Sequence, residues 1–172
     1  LNDHYLLCKD SNYLKILDLN TLKLSGTFEK AWILPEGKFY FQEGSQKILS
    51  ENILTRKSIV DDPILEFEPY RVNYWVYNEQ RNVYDEERKT VYQFIFQQND
   101  KLGVFGLNQE VIIPPVYDDI YMVEGVFFWV RKDNKWAILN SKNEQLTPFE
   151  FKDVDHINDQ NFSSFLYLFN ED

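Results

Sequence analysis

Residues 94–120 read FIFQQNDKLGVFGLNQEVIIPPVYDDI and residues 128–154 read FWVRKDNKWAILNSKNEQLTPFEFKDV. Set one upon the other, 34 positions apart (94 to 128), they align without a gap. Phe94 falls on Phe128, Lys101 on Lys135, Val104 on Ile138, Glu110 on Glu144, Pro114 on Pro148, Tyr117 on Phe151 and Asp119 on Asp153. A fixed period of this length marks a chain assembled from one small supersecondary unit used repeatedly, because such a unit buries its apolar face only by stacking on its neighbours.

The second copy spells out the unit. Residues 128–131 are β-favouring, residues 132–135 supply Asp and Asn that tolerate positive φ, and residues 136–139 return as a paired strand. Residues 140–143 form a second polar turn, 144–147 a third short strand, and Pro148 stops it for want of an amide donor. The first copy follows suit, with Asn99-Asp100 in the turn, residues 102–105 returning, and Pro114-Pro115 as the stop. With period two, Leu102 and Val104, like Trp136 and Ile138, share a face, while Gly103 and Ala137 occupy the other. A small residue at one register position twice over predicts close approach of a neighbouring backbone there.

The segment Lys135-Trp136-Ala137-Ile138 resembles the Trp-Gly core of the bacterial WG repeat. So do the run Ile112-Ile113-Pro114-Pro115-Val116-Tyr117-Asp118 and the pair Glu124-Gly125 before an apolar strand, in that family's order and spacing. Leu102-Gly103 keeps the Gly without the Trp, and Trp136-Ala137 the Trp without the Gly. The resemblance covers about residues 94–157. It implies a β-repeat fold with a binding role and brings no catalytic residues with it.

Toward the N-terminus the same grammar is worn. Residues 5–8, a turn at 9–12, residues 14–17 and a turn at 18–21 make a hairpin, and Phe28-Glu29 precedes Glu36-Gly37 as Tyr117-Asp118 precedes Glu124-Gly125. The reading is a single all-β domain of tandem antiparallel hairpin repeats. Its parts are a diverged repeat at 1–43, a degenerate or inserted segment at 44–93, clear repeats at 94–127 and 128–161, and a closing strand within 162–172. In the inserted segment Ile48, Leu49, Ile53, Leu54 and Val60 fit a short helix or two irregular strands, residues 74–84 fit a hairpin, and a new strand begins at Thr90. An open stacked array and a propeller- or barrel-like closure both satisfy the pattern, with the short count of units favouring the former.

With 4 Trp, 11 Tyr and 14 Phe the chain can fill a sizeable core. Eighteen basic against 28 acidic residues leave a net charge of -10, which repels phosphate backbones and anionic bilayers. The expected partner is therefore a basic protein surface, with nucleic acid and membrane excluded. One cysteine, Cys8, forms no intramolecular disulfide, and two histidines, His4 and His156, are too few for a His-based zinc site; neither metal nor cofactor is expected. A reducing, cytoplasmic setting is the expectation, although a chain opening on Leu1 is also compatible with a trimmed leader.

No nucleophile elbow or phosphate loop occurs, so no catalytic residues are assigned and no enzymatic activity is expected. His156 beside Asp153 and Asp155 is the one grouping that would suit a hydrolase or metal site, and it reads better as a loop histidine. Asp118-Asp119 reads chiefly as framework, since Asp119 aligns with Asp153. The candidate partner-binding residues are Asp85, Glu86, Glu87, Asp118, Asp119, Glu124, Trp129, Asp153 and Asp155, an acidic set with one aromatic anchor. Tyr74, Trp75 and Tyr121 are further aromatics whose strands leave them less constrained. The functional expectation is a protein-binding repeat module, with a toxin-neutralising immunity protein as its specific form. The alternative is a peptide- or glycan-binding scaffold domain of a larger envelope protein.

Overall fold

A computed structural model describes residues 4–78, 80, 81, 83–123 and 125–152, with the backbone alone at 68, 73–78 and 83–86. Thirteen strands and one 3-10 turn, Pro35–Gly37, occur among them, without an α-helix. The strands are β1 (Tyr5–Asp10), β2 (Tyr13–Asp18), β3 (Lys23–Leu24), β4 (Lys30–Ile33), β5 (Phe39–Glu43), β6 (Gln46–Ser50), β7 (Ile64–Asn78), β8 (Val83–Gln98), β9 (Lys101–Gly106), β10 (Val111–Tyr117), β11 (Asp119–Val123), β12 (Phe127–Lys132) and β13 (Lys135–Asn140). They form four antiparallel sheets, ordered β1-β2-β3, β4-β5-β6, β7-β8-β9-β10 and β11-β12-β13. No sheet closes into a barrel, so the all-β array is open among the described residues.

The 34-residue period is carried into the hydrogen bonds. The Gly106 N–H donates to the Glu110 carbonyl at 2.9 Å, and the Asn140 N–H to the Glu144 carbonyl at 3.0 Å. Gln109 and Asn143 close the same turns onto Gly106 and Asn140, each at 3.0 Å and each with φ near +60° (64° and 61°). Tyr117 pairs with Leu102 as Phe151 pairs with Trp136. The hairpin turns agree too: Asn99 and Asp100 (φ 50° and 61°) match Asp133 and Asn134 (φ 52° and 59°), the conformation that suits the twist of a two-residue hairpin. The worn N-terminal copy keeps the scheme, with Leu14 bridged to Phe28, and Gly37 (φ 73°) in the place of Gly125 (φ 71°).

The second and third sheets each present one face to the sheet before and the other to the sheet after. On β12, Phe128 and Val130 pack back into a cluster with Ile95, Val104 and Ile113, while Trp129 packs forward with Trp136, Ile138 and Phe151. On β8, Phe94 and Phe96 face back toward Tyr40 and Leu49, and Ile95 faces forward. On β5, Phe39 and Phe41 face back toward Ile16 and Phe28, and Tyr40 faces forward. Period-two alternation in strands buried on both faces therefore builds a row of small cores, each shared by two units. Phe28, Phe41, Phe94 and Phe128 are fully buried at 0% exposure, each contributing about 1.5–3 kcal/mol of transfer free energy. Two buried polar groups cross between sheets: Lys38 Nζ donates to Asn108 Oδ1 at 2.6 Å, and Gln93 Nε2 to the Gly125 carbonyl at 3.1 Å.

Three expectations need correction. Pro114-Pro115 do not stop a strand, because β10 runs through them as a bulge between the Ile113–Val104 and Tyr117–Leu102 pairs, where a missing donor costs no ladder bond. Residues 144–147 form no strand of their own beyond the Leu139–Gln145 bridge. Of the two alternatives for residues 44–70, the strand holds at Ile48 and Leu49, which lie on β6. Residues 83–84 and 90–96, read separately from sequence, belong to one continuous strand, β8. The closing strand expected within 162–172 lies outside the described residues.

Candidate protein-interaction surface

The strands β7 and β8 are 15 and 16 residues long, against 4 and 5 for β4 and β11 and 5 and 6 for β5 and β12. Among the described side chains the core ones lie in their inner halves, Ile64 and Phe67 with Phe94 and Phe96, and β9 pairs with β8 over residues 93–98. From the Arg71–Thr90 pair outward the two strands pair only with each other among the described residues, out to Asn78–Val83. At roughly 3.3 Å per residue that is an arm of about 25 Å.

The arm unites two features that are separate in the sequence. Asp85, Glu86 and Glu87 stand opposite Val76, Trp75 and Tyr74 in the ladder. An acidic triplet thus lies against a partly aromatic stretch, Tyr74-Trp75-Val76, on a two-stranded ribbon. Arg71, Glu87, Arg88 and Lys89 are exposed along it. The base of the arm is tied in, since Gly125 lies so close to Tyr70 that a Cβ there would stand 2.6 Å from the Tyr70 Cβ.

Asp118 and Asp119 lie elsewhere, between the third and fourth sheets, and each has a basic partner. Lys101 Nζ donates to Asp118 Oδ1, and the Asp133 N–H donates to Asp118 Oδ2 at 3.1 Å. Arg131 donates to Asp119 Oδ2 at 3.3 Å and lies over the Trp136 ring at 5.6 Å from its centroid. The Lys101 hydrogen bond holds the Asp118 carboxyl below the ordinary aspartate range, against the opposing effect of burial. These two carboxylates spend their charge on Lys101 and Arg131 and fasten adjoining turns.

Trp129 is buried at 8% exposure, with its ring edge-on to Phe151 at 5.6 Å. Tyr121, by contrast, is 48% exposed and stacks on Trp136 at 5.3 Å, so Tyr121, Trp136 and Arg131 form a layered aromatic–guanidinium patch. Glu124, Asp153, Asp155 and His156 lie outside the described residues. No group of three or more His, Cys, Asp or Glu placed to hold a metal occurs among the described residues. Sequence reasoning missed the exposed apolar side chains of the first sheet, Leu6 at 51%, Leu22 at 75% and Leu24 at 56%. The alignment of repeats carried the signal, because Leu6 occupies the place of Phe94 and Phe128.

Residues 103–136 match the family described as WG containing repeat. That stretch is similar to a WG-type β-repeat. It opens at Gly103 in β9, passes along the bulged β10, and ends at Trp136 in β13. The matched WG unit therefore crosses from one sheet to the next and includes the arch that covers Gly103. A Cβ on Gly103 would meet the Ile113 carbonyl oxygen at 2.8 Å and the Pro115 nitrogen at 2.9 Å, which is the close backbone approach expected from sequence. No curated protein matches the chain.

Proposed function

We propose that this β-repeat module is a non-enzymatic protein-binding device whose partner is a basic protein. The observation that carries the reading is the β7–β8 arm, which leaves the stack and sets Asp85, Glu86 and Glu87 against Tyr74, Trp75 and Val76. Long-range steering comes from the charge of the whole chain, and the arm, whose residues 71–90 carry four acidic and four basic side chains, offers the acidic triplet beside aromatic anchors. A chain of net charge -10 draws a cationic partner toward it. Its specific form is an immunity protein that blocks a basic toxin by occlusion.

The test is inhibition and co-purification with the products of neighbouring genes at low and high salt. Binding that weakens as ionic strength rises, and that is lost when Asp85, Glu86 and Glu87 are replaced by Asn and Gln, supports the proposal. Binding indifferent to those replacements refutes the arm as its seat. A second reading, a scaffold domain of a longer WG-repeat envelope protein, draws support from the uncovered Leu6, whose counterparts Phe39, Phe94 and Phe128 are buried against a neighbouring unit. A full-length gene encoding many further repeats favours that reading.

A further inference from the structure

Among the described residues, the first sheet lacks a strand that the other three possess. In each sheet one strand leads into the two-residue hairpin turn, whose last pairs are Asp10–Tyr13, Glu43–Gln46, Gln98–Lys101 and Lys132–Lys135. Four residues earlier stand Leu6, Phe39, Phe94 and Phe128, so β1 is the counterpart of β5, β8 and β12. On its other edge β5 takes β4, β8 takes β7 and β12 takes β11, always antiparallel. Among the described residues β1 takes none, and the sheet ends there.

This edge is held in place and carries uncovered apolar side chains. Tyr5 packs edge-on against Phe39 at 4.9 Å, fixing β1 to the second sheet. Leu6 and Leu7 are 51% and 44% exposed, whereas Phe128 and Trp129 at the matching positions are 0% and 8%. A firm, apolar, unpaired edge is what strand addition uses: backbone hydrogen bonds give affinity and alternate side chains give selectivity.

The fourth sheet shows what fits. Opposite Arg131, Val130, Trp129, Phe128 and Phe127 lie Asp119, Ile120, Tyr121, Met122 and Val123. Asp119 pairs with the Arg131 guanidinium, while Ile120 and Met122 join the core. In β1 the same places are held by Lys9, Cys8, Leu7, Leu6 and Tyr5. The cation is kept at Lys9, and an apolar row at Cys8 and Leu6 awaits a partner. We infer that the edge of β1 binds an extended polypeptide strand, antiparallel, with an acidic residue opposite Lys9 and apolar residues opposite Cys8 and Leu6. The occupant is a peptide segment of a partner protein, and the site is separate from the β7–β8 arm.

The test titrates the 15N-labelled chain with a short synthetic peptide containing Asp-Ile-Tyr-Met-Val. The expected result is saturable shifts centred on the amides of residues 5–9, with a dissociation constant on the order of 100 μM. N-methylation of the peptide's ladder amides weakens binding at least about tenfold, since each blocked donor removes a ladder bond. Lys9→Glu weakens the acidic peptide, and a Lys-Ile-Tyr-Met-Val peptide recovers affinity for that variant. Shifts that are absent, that centre elsewhere, or that survive N-methylation unchanged overturn the inference. Concentration-dependent changes at residues 5–9 without peptide would assign the edge to a second copy of the chain and overturn it equally. Replacing Asp85, Glu86 and Glu87 leaves this titration unchanged, so it stands or falls apart from the arm.

Discussion

The return strands β9 and β13 perform one task with different side chains. In β9 the bulged β10 passes directly over Gly103, and Ile113 pairs with Val104 through the ladder. In β13 the returning segment is held by a side chain: the Ile138 N–H donates to Thr147 Oγ1 at 2.9 Å, the Leu146 N–H donates to the Ile138 carbonyl at 2.8 Å, and an alanine is tolerated where Gly103 stood. The first sheet uses the same device as β13, with Ser25 Oγ accepting from the Ile16 N–H at 2.9 Å. The repeat therefore conserves the path of the chain and the address of each backbone bond, while the means of satisfying a given amide changes from copy to copy.

The sharpest contrast lies between covered and uncovered positions of the repeat. Phe128→Ala empties a fully buried site and is expected to cost about 3–5 kcal/mol, whereas Leu6→Ala at the matching place costs under about 0.5 kcal/mol. Equilibrium urea unfolding of the two variants measures the gap, and equal losses would dissolve the distinction between terminal and internal units. Next come the small residues: Gly103→Ala and Ala137→Leu each force atoms into occupied space and are expected to cost about 1–3 kcal/mol, read as lowered thermal midpoints. A smaller effect, about 1 kcal/mol, follows from Thr147→Val, which removes the acceptor of the Ile138 amide and should speed that amide's hydrogen exchange.

The smallest concerns pH. The folded Asp118 carboxyl titrates below the ordinary value of about 3.9, so its contribution is present above that value and fades as pH falls through the lower folded one. The stability difference between the parent and Asp118→Asn should accordingly be constant near neutrality and vanish in acid. A difference that grows on acidification would reverse the sign and reject the Lys101 pairing.

Most of the fold was legible because the repeat is written in both apolar period and turn chemistry. Asn99-Asp100 and Asp133-Asn134 announce left-handed turns, and the flanking Phe94 and Phe128 announce core strands. Pro114-Pro115 misled because proline reads as a terminator, while a bulge needs no donor at that point. The length of β8 was hidden for a physical reason: residues 85–89, Asp-Glu-Glu-Arg-Lys, show no alternation, and a ribbon paired only to its neighbour needs none. The candidate surface was half visible. The acidic triplet and the aromatic strand were each noticed, but their register lies in the pairing of β7 with β8, which a linear reading does not contain. The framework role of Asp119 was readable from its match to Asp153, whereas the burial of Trp129 depends on Phe151 packing edge-on against it.

The central claim is that one backbone arrangement is used along the chain, and long-range nuclear Overhauser contacts across the arch test it most directly. Cross-strand contacts are expected at Leu102–Tyr117, at Trp136–Phe151 and at Leu14–Phe28, all three present together in the folded protein. Finding the first without the other two would contradict the account.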